Sequence, residues 1–223
     1  MKNNNPIKIS EILKAKNILD GKIVTTPLIY DFYLSKKFGS KIFYKAENIQ
    51  RTGSFKIRGA YNKIYNSIKN DKPAGILAWS SGNHAQGVAE AANIFNIKST
   101  IVMPKDAPQN KINGTKSRKA NIVFYNRKTE NREEIGNSIA RKNNLLIIPP
   151  YDDPDVIAGQ GTIGLEIIEQ ISKYDLFPDK VLVPTGGGGL IAGIATAIKN
   201  KFNNTNIYSI EPNKFADYSK YKK

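Results

Sequence analysis

Four consecutive glycines, Gly186, Gly187, Gly188 and Gly189, stand between an apolar run at residues 180–183 and an apolar helical pattern at residues 190–202. A run of this kind can continue neither a strand nor a helix. It forces a strand–loop–helix unit, and it lets the backbone wrap closely around an anion at the start of the following helix. The same order recurs upstream. Gly75-Ile76-Leu77-Ala78-Trp79 reads as a strand, Ser80-Ser81-Gly82-Asn83-His84 as a loop, and Ala85, Val88, Ala89, Ala92 and Phe95 recur at helical spacing. Residues 41–46, 99–103, 120–125, 145–148 and 207–210 read as further strands, with helices over 56–69, 130–142 and 156–172. Strands alternating with helices of this length predict βαβ units with parallel sheets and right-handed crossovers. Pro149-Pro150 and Asp152-Asp153-Pro154 mark a boundary between two such blocks.

Composition excludes several classes of function. There is no cysteine among the 223 residues, so disulfides, a thiolate nucleophile and cysteine-based metal sites are unavailable. The formal charge of +15 could suit nucleic acid or an anionic membrane. The lysines, however, are scattered among asparagines along the whole chain, and Lys214 with Lys220 to Lys223 forms the only loose cluster. Neither a nucleic acid nor a membrane is expected as a partner. The polar start, Met1-Lys2-Asn3-Asn4-Asn5-Pro6, lacks the apolar stretch of a signal peptide, and no apolar run approaches the roughly 18 residues that span a bilayer. A soluble, cytoplasmic protein acting on a small molecule is the expectation.

Lys56 carries the chemistry. It lies in Arg51-Thr52-Gly53-Ser54-Phe55-Lys56-Ile57-Arg58-Gly59-Ala60, between an aromatic and a β-branched residue, just after a turn and at the start of a helix with Ile57, Ala60, Tyr61, Ile64 and Ile68 on one face. Partial desolvation there favours the neutral amine, the form that attacks a carbonyl. A surface lysine at a helix start would look similar from this run alone.

The two loops decide between these readings. Ser80-Ser81-Gly82-Asn83-His84 places backbone N–H groups, hydroxyls and an amide at the carboxyl end of a parallel strand, where α/β sheets bind ligands. One polar residue suffices to cap a helix, and five small or polar groups in a row exceed that need. The tetraglycine loop lacks the Lys-Ser/Thr ending of a nucleotide-hydrolysing phosphate loop. It does contain Gly187-x-Gly189-x-x-Ala192 with Glu211 closing the next strand, which keeps a dinucleotide-binding protein open as the alternative. A reactive lysine, an anion nest and a phosphate cradle together fit a pyridoxal phosphate enzyme.

Longer stretches carry a resemblance. Residues 47–60, Ser81-Gly82-Asn83-His84-Ala85-Gln86-Gly87-Val88-Ala89, Ile157-Ala158-Gly159-Gln160-Gly161-Thr162-Ile163-Gly164-Leu165-Glu166 and the four glycines resemble the threonine/serine dehydratase and serine racemase group of fold-type-II pyridoxal phosphate enzymes. That resemblance implies an α/β fold of two lobes, each with a mostly parallel sheet flanked by helices as in the tryptophan synthase β subunit. The small lobe would span residues 52–150, and the large lobe would combine 1–51 with 151–223. It implies pyridoxal 5′-phosphate as cofactor, an amino acid substrate, and a homo-oligomer where the full family chain is present.

By position, Lys56 would be the Schiff-base lysine and proton shuttle, Phe55 would pack beside the ring, and Asn83 would meet the cofactor's 3-hydroxyl. Gly186, Gly187, Gly188 and Gly189 would hold the phosphate. Ser80, Ser81, Gly82 and His84 would line the cup for the substrate carboxylate. The implied reaction converts L-threonine or L-serine to a 2-oxo acid and ammonia. Ser81, where many dedicated threonine dehydratases have alanine, keeps serine racemase and threo-3-hydroxyaspartate ammonia-lyase open. Racemase-like members also carry a divalent-cation site, which would begin here at Glu211 with Asp217, suited to Mg²⁺ or Ca²⁺. The family chain normally runs on beyond the position of Lys223. The large lobe is therefore expected to be incomplete, with an apolar face uncovered, and a non-catalytic truncated remnant is a further alternative.

Overall fold

The computed structural model describes residues 6–70, 72–216 and 219. In chain order the helices are α1 Ile9–Leu19, α2 Phe32–Phe38, α3 Lys56–Asn70, α4 Asn83–Ile94, α5 Gln109–Lys116, α6 Arg132–Asn143, α7 Pro154–Ser172 and α8 Gly189–Lys201. The strands are β1 Leu28–Tyr30, β2 Phe43–Lys45, β3 Gly75–Trp79, β4 Ser99–Pro104, β5 Asn121–Tyr125, β6 Leu145–Ile147, β7 Lys180–Pro184 and β8 Asn206–Ile210. Among the described residues the strands form three sheets. The architecture is α/β, with two parallel sheets flanked by helices and one short antiparallel pair.

The apolar run of β3 explains the largest sheet. Ile76, Leu77 and Ala78 are each 0% exposed, as expected for a strand covered on both faces. Strand order is β5-β4-β3-β6, parallel throughout. Ile76 and Ala78 join Ala60, Tyr61 and Ile64 of α3 and Val88, Ala89 and Ala92 of α4 in one core. Leu77 joins Val102, Tyr125 and Ala140 in another, on the side of α6. The chain runs outward from β3 to β4 and β5, then returns to β6 on the opposite side of β3. That reversal opens a crevice at the carboxyl ends of β3 and β6, the place where ligands enter sheets of this kind.

The second block is built on α7, whose start is capped by Asp153 Oδ1, an acceptor from the Asp155 and Val156 N–H groups at 3.0 and 3.1 Å. Pro154 follows the cap, where a missing N–H costs nothing. Ile163 and Ile167 of α7 pack with Ile191, Ile194 and Ile198 of α8 and Val183 of β7. Strands β7 and β8 pair in parallel. Their other face leaves Leu182 65%, Tyr208 44% and Ile210 48% exposed.

A buried ionic cluster ties three distant segments together. Arg58, 0% exposed, donates to Glu47 at 2.7 and 2.8 Å and to Glu166 at 2.6 and 3.1 Å. Lys45 reaches Glu166 at 2.5 Å and also bonds the Thr26 carbonyl. Strand β2, α3 and α7 are thereby fixed to one another beside Lys56.

The expected strand at 41–46 shortens to β2 and pairs antiparallel with β1. Helices α1, α2 and α5 and strand β1 were not anticipated from the sequence. Strand β1 has three residues, and α5 buries only Ile112 and Thr115, so neither carries a readable period.

Candidate active site

Lys56 is the first residue of α3, and its amine donates to the Pro150 carbonyl at 2.8 Å. It also lies 5.1 Å from the centre of the Phe55 ring. Burial lowers the amine from 10.5 to about 8, because the charged form loses more hydration than the protein returns. The lysine is thus desolvated, as its neighbours suggested. Beyond it opens a cleft of about 320 Å³ whose wall includes Phe55, Lys56, Pro150, Gln160 and the four glycines.

The glycines divide by cause. A Cβ on Gly187 would fall 2.2 Å from the Tyr151 ring, so this glycine seats an aromatic side chain. Gly188 has a φ of 83°, a left-handed conformation that glycine adopts without cost, and it precedes α8 with no side chain capping the helix. Nothing lies within 4 Å of a Cβ placed on Gly186. The bend therefore combines an open backbone with an uncapped helix N-terminus of 13 residues, a donor set that suits a phosphate. A desolvated amine in the same cleft suits an aldehyde. The residues present fit pyridoxal phosphate.

The loop after β3 forms the neighbouring wall of the crevice rather than the lining of this cleft. His84 is buried, and its Nε2 is 2.9 Å from the Ile148 carbonyl, two residues before the carbonyl that holds Lys56. Desolvation first, then the nearby Lys56 charge, lower His84 to about 4, so it is neutral near pH 7. The Ser80 hydroxyl accepts the Gly82 N–H at 3.3 Å, and no side chain caps α4. Simple helix capping is therefore not what these residues do. Asn83 Oδ1 accepts from the Lys111 amine at 3.0 Å. Ser80, Ser81, Gly82, Asn83 and His84 do not line the cleft that holds the glycines.

Of the two acids expected as cation ligands, only Glu211 is among the described residues. Glu211 Oε2 accepts from the Ser219 N–H at 3.0 Å and hydroxyl at 2.7 Å. Asp217 lies outside the described residues. Among those described, no cluster of three metal-ligating side chains occurs. No described helix is long and apolar enough to cross a membrane.

Pro150, Tyr151 and Gln160 are among the cleft residues to which the sequence assigned no role. Pro150 acts through its carbonyl, which leaves no signature. Tyr151 could have been found by asking what large group needs Gly187. Gln160 is a polar residue flanked by glycines on a buried helix, a pattern that could have marked it as more than packing.

The model of the pyridoxal-phosphate dependent enzymes matches residues 19–223. The chain belongs to this family. It is 47% identical to the catabolic L-threonine dehydratase TdcB of Escherichia coli K12 over 87% of this chain and 58% of that protein. It is 42% identical to the L-threo-3-hydroxyaspartate ammonia-lyase of Saccharomyces cerevisiae over 91% of this chain and 61% of that one. Its fold matches maize serine racemase with a TM-score of 0.88 at 33% identity, covering 94% of this chain and 62% of that one. The chain thus spans about three fifths of the length of these relatives.

Proposed function

We propose that this chain carries the cofactor and substrate site of a pyridoxal-phosphate-dependent ammonia-lyase that converts L-threonine or L-serine to a 2-oxo acid and ammonia. The observation that carries the reading is a desolvated amine, Lys56 Nζ, in the wall of the same cleft as the tetraglycine bend. Relatives named threonine dehydratase support the substrate class.

Lys56 holds the aldehyde end of the cofactor. The backbone N–H groups of Gly186, Gly187, Gly188 and Gly189, with the first turn of α8, hold its phosphate. Phe55 packs beside the ring, and Asn83 turns from Lys111 to meet the ring hydroxyl. Ser80, Ser81, Gly82 and His84 receive the substrate carboxylate at the uncapped start of α4. When bound, pyridoxal phosphate supplies an electron sink for the charge left on the α-carbon. The released Lys56 amine accepts the α-proton at Nζ, for which an amine titrating near 8 is suited. The Lys56 ammonium passes that proton to the substrate's β-hydroxyl, which departs as water, and one water then hydrolyses the carbon–nitrogen bond to free ammonia and the 2-oxo acid.

A second reading, a racemase or a threo-3-hydroxyaspartate ammonia-lyase, rests on Ser81. A hydroxyl in that loop can exchange a proton with the α-carbon on the face that Lys56 does not reach.

The test is 2-oxo acid release from L-threonine, L-serine and threo-3-hydroxyaspartate by the protein supplied with pyridoxal phosphate. Turnover of threonine or serine, lost in Lys56→Ala, is expected. Bound cofactor with no 2-oxo acid from any of the three would contradict the lyase.

A further inference from the structure

Among the described residues, Gln160 is the one side chain with two buried polar atoms that both lack a hydrogen-bond partner. It is 1% exposed, yet it lines the cleft together with Lys56 and the four glycines. The other buried orphans are of a different kind. Asn62 leaves only Oδ1 unpaired, since its Nδ2 donates to the Asp155 carbonyl at 2.8 Å. Arg118 Nε lies 3.3 Å from Glu90 Oε2. The Ser54 hydroxyl is a single group and does not line the cleft.

The position of the amide is fixed by its helix. Gln160 lies on the turn of α7 that crosses the start of α3, where a Cβ on Gly59 would fall 2.6 Å from Gln160 Nε2. The residue thus lies at the junction of α7 with the turn of α3 that begins at Lys56. As a packing residue it would be a poor choice, because a buried amide without partners loses its hydration and gains nothing in return. Leucine or methionine would fill the same volume without that loss. A neutral amide can donate to and accept from a ligand while adding no charge beside the Lys56 amine, so the pKa of that amine is left undisturbed.

We infer that the Gln160 side-chain amide is a binding residue for the phosphorylated aldehyde cofactor, which supplies the partner that the folded chain withholds. This rests on the cofactor reading above and adds to it a contact outside the glycine bend. It also predicts opposite signs for stability and binding. Removing the amide relieves the empty protein of two unpaired buried atoms, while it deprives the cofactor of a hydrogen bond.

The experiment titrates pyridoxal phosphate into the wild-type protein, Gln160→Leu and Gln160→Met, reading the bound cofactor by absorbance and fluorescence without substrate. Thermal unfolding of the ligand-free proteins is measured alongside. The expected result is a dissociation constant weakened about tenfold in both variants, with melting temperatures equal to or above wild type. Affinity within about twofold of wild type would overturn the inference. Failure of both variants to fold, or a fall in melting temperature matching the loss of affinity, would assign Gln160 to packing and overturn it as well. A wild-type protein that takes up no cofactor would overturn the cofactor reading together with this one, which separates the two failures.

Discussion

The Lys56 amine donates to the carbonyl of Pro150 at 2.8 Å, across 94 positions of sequence. The first residue of α3 is thereby tied to the connection that follows β6. Since His84 meets the Ile148 carbonyl in the same connection, the carboxyl ends of β3 and β6 and the start of α3 converge on three consecutive residues of chain.

Lys56 sets a pH dependence. With its amine lowered to about 8 by burial, roughly a tenth is neutral at pH 7, against far less for an ordinary lysine. Capture of pyridoxal phosphate is expected to quicken as pH rises and to level off above about 8. Stopped-flow absorbance checks it, and a rate independent of pH between about 6 and 9 would contradict it. The unfolded state, with the higher value of 10.5, binds more protons between about 8 and 10.5. The Lys56 contribution to the stability of the ligand-free protein is thus unfavourable below about 8 and is relieved as pH climbs through that window. In Lys56→Met that gain should disappear.

Gly87 of α4 lies against the backbone that carries Lys56. A Cβ there would fall 2.9 Å from the Lys56 carbonyl carbon and 3.0 Å from the Ile57 nitrogen. Neither atom can swing aside. Gly87→Ala is expected to cost about 1–3 kcal/mol in chemical denaturation and to weaken cofactor uptake, since the amine moves with its backbone. Wild-type stability and uptake together would refute the close approach.

Gly187 and Tyr151 should be energetically coupled. The Tyr151 ring occupies the space that a Gly187 side chain would need. Gly187→Ala is expected to destabilise the wild type, and to do so less when Tyr151 is already alanine. The coupling should fall in the range of about 0.5–3 kcal/mol found for residues in contact. Strict additivity in the double-mutant cycle would remove Tyr151 as the reason for that glycine.

Arg58 holds two carboxylates in the interior. Arg58→Met would leave Glu47 and Glu166 with Lys45 as their nearest cation, and the expected loss is about 3–5 kcal/mol in denaturant unfolding. A loss under about 1 kcal/mol would place the cluster among the weak surface pairs.

Ser81 separates the two catalytic readings. Ser81→Ala is expected to abolish any racemisation of serine while leaving elimination from the L-substrates largely intact. Equal loss of both would count against a role for this hydroxyl on the second face.

The legible part of the sequence was the part governed by period and punctuation. The apolar runs of β3, β4 and β7, and the helices that follow β3 and β7, announce themselves by their spacing, and from them the α/β class follows. Helix α1 was not read because its partners are remote: Ile12 packs where Gly161 of α7 leaves room. Lys56 and the glycine bend were visible as residues with unusual local demands. Pro150 was not, because a backbone carbonyl is the same in every residue. The grouping of Lys45, Glu47, Arg58 and Glu166 was equally hidden, since long-range pairing of charges leaves no local trace.

The covalent link to the cofactor is expected at Lys56. Borohydride reduction of the protein after incubation with pyridoxal phosphate, followed by peptide mapping, tests it most directly. Loss of the near-visible absorbance and a stable pyridoxyl label on Lys56 are expected. A protein that stays colourless, or a label fixed on another lysine while Lys56 is unmodified, would contradict it.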